Sequence, residues 1–167
     1  MRVKDETIIT DADDEEIKGE QDIDEFSQYF NNETTPKIFM TTNRRPNGKL
    51  FNFLKEVKAA FPGVEYYERK NHMVKKMIEE AKKRGFTDLM LFYEKMGKPH
   101  SLILSHLPDG PTATFRVSSV KLREYIPNHG AAPGEVNPEL IMNNFDTMLG
   151  HRIGRMLACL FPQVPNL

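Results

Sequence analysis

The sequence predicts an α/β fold, a mixed sheet flanked by helices. Three observations carry that expectation. Residues 101–119, SLILSHLPDGPTATFRVSS, place two β-rich runs around a Pro-Asp-Gly-Pro turn. Upstream of them, short apolar runs alternate with stretches of helical period. A hydrophobic content of 39% over 167 residues is enough for one globular core.

The hairpin comes first in the argument because its chemistry is the most explicit. Pro108 presets φ, Asp109 can bond its own backbone, and Gly110 tolerates φ > 0. Pro111 has no N–H and fits only the start or the edge of the next strand. From Thr112 onward polar and apolar residues alternate with period two, as in a strand buried on one face. The two arms are Leu102–Leu107 and Thr112–Val117.

Residues 37–42 (KIFMTT) read as a buried strand after Pro36, and 43–49 (NRRPNGK) as a polar loop. Leu50, Phe53, Leu54, Val57, Ala60 and Phe61 then form one helical stripe, which Pro62-Gly63 ends. A second strand is expected at Val64–Glu68 and a second helix from Met73 to Arg84, with Gly85 at its C′ position. A third, central strand is expected at Phe86–Tyr93, with a turn over Glu94–Pro99 leading into the hairpin. This alternation implies parallel pairing and right-handed crossovers for the first strands, and the hairpin adds antiparallel ones.

After a Gly/Pro-rich loop, Asn137-Pro138-Glu139 predicts a helix start, with Asn as N-cap and Pro at N1. Ile141, Phe145, Leu149, Ile153, Met156 and Leu160 would form its apolar stripe, with Pro162 as terminator. Gly150 and Gly154 lie one turn apart and imply a close backbone approach. Cys159, the single cysteine, reads as a small buried hydrophobe and fits a reducing compartment.

Charge divides the chain. Residues 1–33 hold twelve acids and three bases, a net −9, and residues 34–167 hold twenty bases and twelve acids, a net +8. Residues 1–33 are therefore expected to be a largely disordered acidic tail, and 34–167 the folded domain. The tail can shield the domain from non-specific polyanions or dock on a basic partner. Within it, Phe26, Tyr29 and Phe30 (26–30) have the spacing of one helical face. Two uses are open: packing back on the domain, which we favour, or anchoring another protein. No apolar run approaches the ~20 residues of a membrane span. The opening Met-Arg-Val-Lys-Asp-Glu lacks an apolar core, so no secretory signal is expected.

The residues give no positive sign of catalysis. The five histidines, at 72, 100, 106, 129 and 151, stand at no metal-ligand spacing with one another or with Cys159, so neither metal nor cofactor is expected. His106 and Asp109 flank a turn and read as turn caps rather than an acid–base pair. Asn47-Gly48-Lys49 follows a strand and opens a helix, but lacks the phosphate-loop spacing.

The bases are more informative. Arg44, Arg45 and Lys49 precede a helix N-terminus, where backbone N–H groups already favour anions. Arg69 and Lys70 follow the second strand, and Arg152 and Arg155 lie off the stripe of the last helix. These seven are the expected contacts to a phosphate backbone, without base readout. Lys75, Lys76, Lys82, Lys83 and Arg84 instead read as a solvated helix face, paired at i, i+4 with Glu79 and Glu80.

Two stretches, LSHLPDGPTATFRVSS and NNFDTMLGHRIGRMLACLFP, together resemble the Brix-domain family of ribosome-assembly factors. DEFSQYFN, PKIFMTTNRRP and RGFTDLMLFYE fit the same family, and the likeness spans about residues 22–162. It implies a domain of two pseudo-repeated halves, each similar to an anticodon-binding domain, of which 34–167 would be the first. It implies a nucleolar, non-catalytic factor of large-subunit assembly, with precursor ribosomal RNA, other assembly factors and ribosomal proteins as partners and no membrane. The family's best-known RNA-binding signature lies in the second half, beyond Leu167. A lone first half is expected to expose apolar surface, with Met142, Met148 and Met156 as its adaptable part. A module that binds only proteins is the competing reading.

Overall fold

The computed structural model describes residues 19, 23–130 and 138–163. Of the tail expected over 1–33, residues 1–18 and 20–22 lie outside the described residues. The chain divides into two compact units, Pro36–Asn137 and the pair Met1–Thr35 with Pro138–Leu167.

Pro36–Asn137 holds one five-stranded mixed sheet in the order β2-β1-β3-β4-β5. Its strands are β1 (Ile38–Thr42), β2 (Val64–Tyr66), β3 (Asp88–Lys95), β4 (Lys98–His106) and β5 (Thr112–Arg116). β1 pairs in parallel with β2 and with β3, while β3–β4 and β4–β5 are antiparallel. The parallel core and antiparallel hairpin thus occur where the sequence places them. The turn expected over Glu94–Pro99 is tighter, only Met96-Gly97, both at positive φ (52° and 73°). That is the sign pattern of a type I′ turn, whose twist matches the strands it joins.

Numbering helices in chain order, α1 is Ser27–Phe30, α2 Gly48–Ala60, α3 Val74–Lys83 and α4 Met148–Ala158. α2 and α3 cover opposite sheet faces. Phe53 and Phe51 of α2 meet Phe92 and Tyr66 edge to face, at centroid distances of 5.5 and 5.9 Å. Met77 and Ala81 of α3 pack with Phe39, Phe86, Leu89 and Leu107 on the other face. Phe39 and Met40 point oppositely because strand side chains alternate, so β1 and β3 are buried on both sides. β4 and β5 are not: β5 alternates half-buried Ala113 and Phe115 with exposed Thr112, Thr114 and Arg116. Gly63, at φ 74°, is fixed twice over, since a Cβ there would lie 2.6 Å from the Pro36 carbonyl oxygen.

On the α2 face, fully buried Asp88 and His106 sit opposite one another across β3–β4, with Nδ1···Oδ1 at 2.9 Å. His106 therefore does not cap the turn with its ring or pair with Asp109. Its backbone does the turn's work, accepting from Gly110 N at 3.0 Å and donating to the Pro111 carbonyl at 2.9 Å.

In the other unit, the helix expected from Asn137 begins eleven residues later, at Met148. Asn137 lies outside the described residues, but 138–146 are not helical. Two local choices outweigh the Pro-Glu signal. Asn144 takes a left-handed φ of 62°, which Asn tolerates and which interrupts a helix. Thr147 then caps the new start, its Oγ1 accepting from Gly150 N at 3.0 Å. The predicted stripe breaks accordingly: Met156 and Leu160 are buried, while Ile141 and Leu149 are 76% and 70% exposed. Met142 and Met148 are exposed as expected, but Met156 is core. The two glycines do mark a close approach, to Phe145 of the preceding segment. A Cβ on Gly154 would touch its ring at 3.6 Å, and one on Gly150 would crowd its backbone at 3.2 Å. Phe26, Tyr29 and Cys159 are buried, with Cys159 Sγ donating to the Met156 carbonyl.

Candidate nucleic-acid interface

The topology decides where the bases go. β1, β2, β3 and β5 all run the same way and β4 runs against them. One end of the sheet therefore gathers the segments leaving β1, β2, β3 and β5 and the segment entering β4. Arg44, Arg45 and Lys49 lie just after β1, and Arg69 and Lys70 just after β2. In open α/β sheets this carboxyl end is where ligands bind, because loops and helix N-termini converge there.

The β1–α2 loop is held in place by its neighbours. Asn43 N donates to the Phe92 carbonyl at 3.1 Å, and Asn47 N donates to Glu94 Oε2 at 2.9 Å. Asn47 Oδ1 accepts from Lys49 N at 3.1 Å and caps α2. That cap uses one of the N–H groups at this helix end. Arg44, Arg45 and Lys49 are exposed, and among the described residues none pairs with a carboxylate within 4 Å.

The remaining four sites divide. Lys70 is exposed, at a positive φ of 48°. Arg69 is only 9% exposed and donates from Nε to the His72 carbonyl at 3.1 Å, so it braces the loop that presents Lys70. Arg152 and Arg155 belong to the other unit. Arg155 holds Asp24 by two bonds, of 2.6 and 2.7 Å, and lies 4.2 Å over the Phe30 ring. Arg152, 60% exposed, reaches Glu25 at 2.6 Å. Both arginines already hold carboxylates of their own chain.

Three further bases arrive at the same sheet end without having been singled out in the sequence: Lys95, Lys98 and Arg116. Lys95 and Lys98 face one another across the Met96-Gly97 turn, and Arg116 closes β5. Only the strand register gathers them, so spacing along the chain gave no sign. The expected i, i+4 pairs on α3 do not form within 4 Å among the described residues. Glu80 turns instead to Lys83 at 3.2 Å, Lys82 lies 3.8 Å from Asp109, and Arg84 lies 5.4 Å from the Tyr67 ring centre. Beside α3, Tyr67 donates to Glu65 at 2.6 Å, a bond that lowers the Glu65 pKa and raises that of Tyr67.

Together these observations define an open α/β domain with helices on both faces and a basic strand-end surface. The chain belongs to the Brix domain family, which matches residues 16–167. It is 45% identical to Ribosome production factor 1 of Xenopus laevis, over 99% of this chain and 48% of that protein. It is 47% identical to Ribosome production factor 1 of Pongo abelii, over 99% and 47% respectively. The chain thus spans about half the length of the curated relatives it matches. A crystal structure of a probable ribosomal biogenesis protein from Aeropyrum pernix aligns with TM-score 0.48 at 25% identity, covering 60% of this chain and 59% of that one.

Proposed function

We propose that this chain is a non-catalytic ribosome biogenesis factor that associates with precursor ribosomal RNA of the large subunit and supports its processing and assembly. The observation that carries the proposal is the likeness to Ribosome production factor 1 along 99% of the chain. The electrostatics agree. Residues 36–137 hold eighteen bases against ten acids, so the whole net +8 of the positive half lies there. Arg44, Arg45 and Lys49, with Lys70, present that charge to phosphates, and Arg69 positions the loop. In the other unit, Arg152 and Arg155 reach phosphates only where RNA displaces Glu25 and Asp24. The place of action is the nucleolus, with other assembly factors and ribosomal proteins as neighbours. Among the described residues no helix is long and apolar enough to cross a membrane.

The test is the affinity of the folded chain for a structured RNA across a salt series. Binding through phosphates makes log K fall steeply with log salt, by about 0.7–0.9 per contact. Arg44→Ala/Arg45→Ala/Lys49→Ala is expected to flatten that slope by about 2. A folded chain with no affinity at low salt overturns RNA association and leaves a module that contacts proteins alone.

A further inference from the structure

One concavity of the sheet unit, about 790 Å³, opens beside the Met96-Gly97 turn. Four bases from four different elements line it: Lys49 at the start of α2, Lys95 ending β3, Lys98 opening β4 and Arg116 ending β5. Among the described residues the lining contains no Asp or Glu. Among the described residues none of the four makes an ion pair. Of the carboxylates nearby, Glu94 accepts from Asn47 N, and Glu56 accepts from Arg123 N at 2.9 Å. Glu124 holds the Tyr125 phenol by a hydrogen bond and raises its pKa.

The cavity is not merely basic. Phe53 and Leu122 give it an apolar wall, and Tyr125, 69% exposed, and Met96, 93% exposed, stand in its lining. An exposed ring beside unpaired cations is the pairing that single-stranded nucleic acid uses, with phosphates on the bases and a nucleobase stacked on the ring. A duplex has no free base face to offer, and an acidic peptide supplies charge without flat rings.

We infer that this groove binds a single strand of RNA, its phosphates on Lys49, Lys95, Lys98 and Arg116 and a base stacked on Tyr125. The inference rests on the RNA-associated reading above and adds where the strand lies and in what form.

The experiment is fluorescence anisotropy of the full chain with a labelled oligouridine at low and moderate salt. Lys95→Ala/Lys98→Ala/Arg116→Ala is expected to weaken binding by tenfold or more and to lower the salt slope by about 2. Tyr125→Ala is expected to weaken it by about fivefold or more, while Tyr125→Phe binds as the parent chain does. Ultraviolet crosslinking of oligouridine to the unmodified chain gives a readout that no folding defect disturbs, and the adduct is expected on Tyr125. The groove is overturned, with RNA association intact, if the triple variant binds normally while Arg44→Ala/Arg45→Ala weakens binding. It is also overturned if a matched duplex binds as well as the single strand, or if polyglutamate competes as well as oligouridine. Absence of all RNA binding overturns both readings.

Discussion

The two units carry the same cationic groups in opposite circumstances. In the unit that joins residues 1–35 to 138–167, fourteen acids face five bases, and both helix arginines are held by carboxylates. At the strand ends of 36–137, Arg44, Arg45, Lys49, Lys95, Lys98 and Arg116 form no ion pair among the described residues. A count of bases treats Arg155 and Arg45 alike. Their environments do not: one arginine is structural, the other is available charge.

The expected effects scale with the burial of each charged group. The largest stability loss is expected for Asp88→Ala, which removes a buried bond to His106; about 2–4 kcal/mol should disappear in urea unfolding. Arg155→Ala should cost less, about 1–3 kcal/mol, because the pair is 17% and 19% exposed but bidentate and stacked on Phe30. Arg152→Ala should cost under about 1 kcal/mol, since that pair is largely in solvent. Arg44→Ala/Arg45→Ala should move stability by no more than about 0.5 kcal/mol while reducing RNA affinity. If Arg155→Ala proved as harmless to stability as Arg45→Ala, the contrast between the units would collapse.

The smallest effect concerns acid. Tyr67 and Lys37 hold the Glu65 pKa below its ordinary value. A lowered carboxylate pKa stabilises the fold above the ordinary value, and that contribution is lost as pH falls through the lowered one. Tyr67→Phe should move the Glu65 midpoint upward in an NMR titration.

Most of the sheet unit was legible in the sequence because its signals are local. Apolar runs, Pro62-Gly63, Gly85 and the 108–111 turn each act within a few residues. The errors come from competition or distance. Asn137-Pro138-Glu139 is a good helix start, yet Asn144 and the Thr147 cap set the boundary at Met148. Arg155 meets Asp24 across 131 positions, and no periodicity reports that. The candidate site was half legible. The Arg44/Arg45/Lys49 loop stands out by composition, whereas Lys95, Lys98 and Arg116 converge only through register.

The strand order also has a consequence for how the chain is made. β1 emerges before β3 and is buried on both faces, but β3, its main partner, is synthesised only after two helices. Until then β1 has only the three residues of β2 beside it. The β3–β4–β5 meander, in contrast, closes between neighbours and is expected to form quickly. Nascent chains arrested before Asp88 should therefore be protease-sensitive across 38–66 and prone to self-association, and those extended past Arg116 should not. The parallel pairing that gathers basic loops at one sheet end leaves a sticky strand waiting on the ribosome.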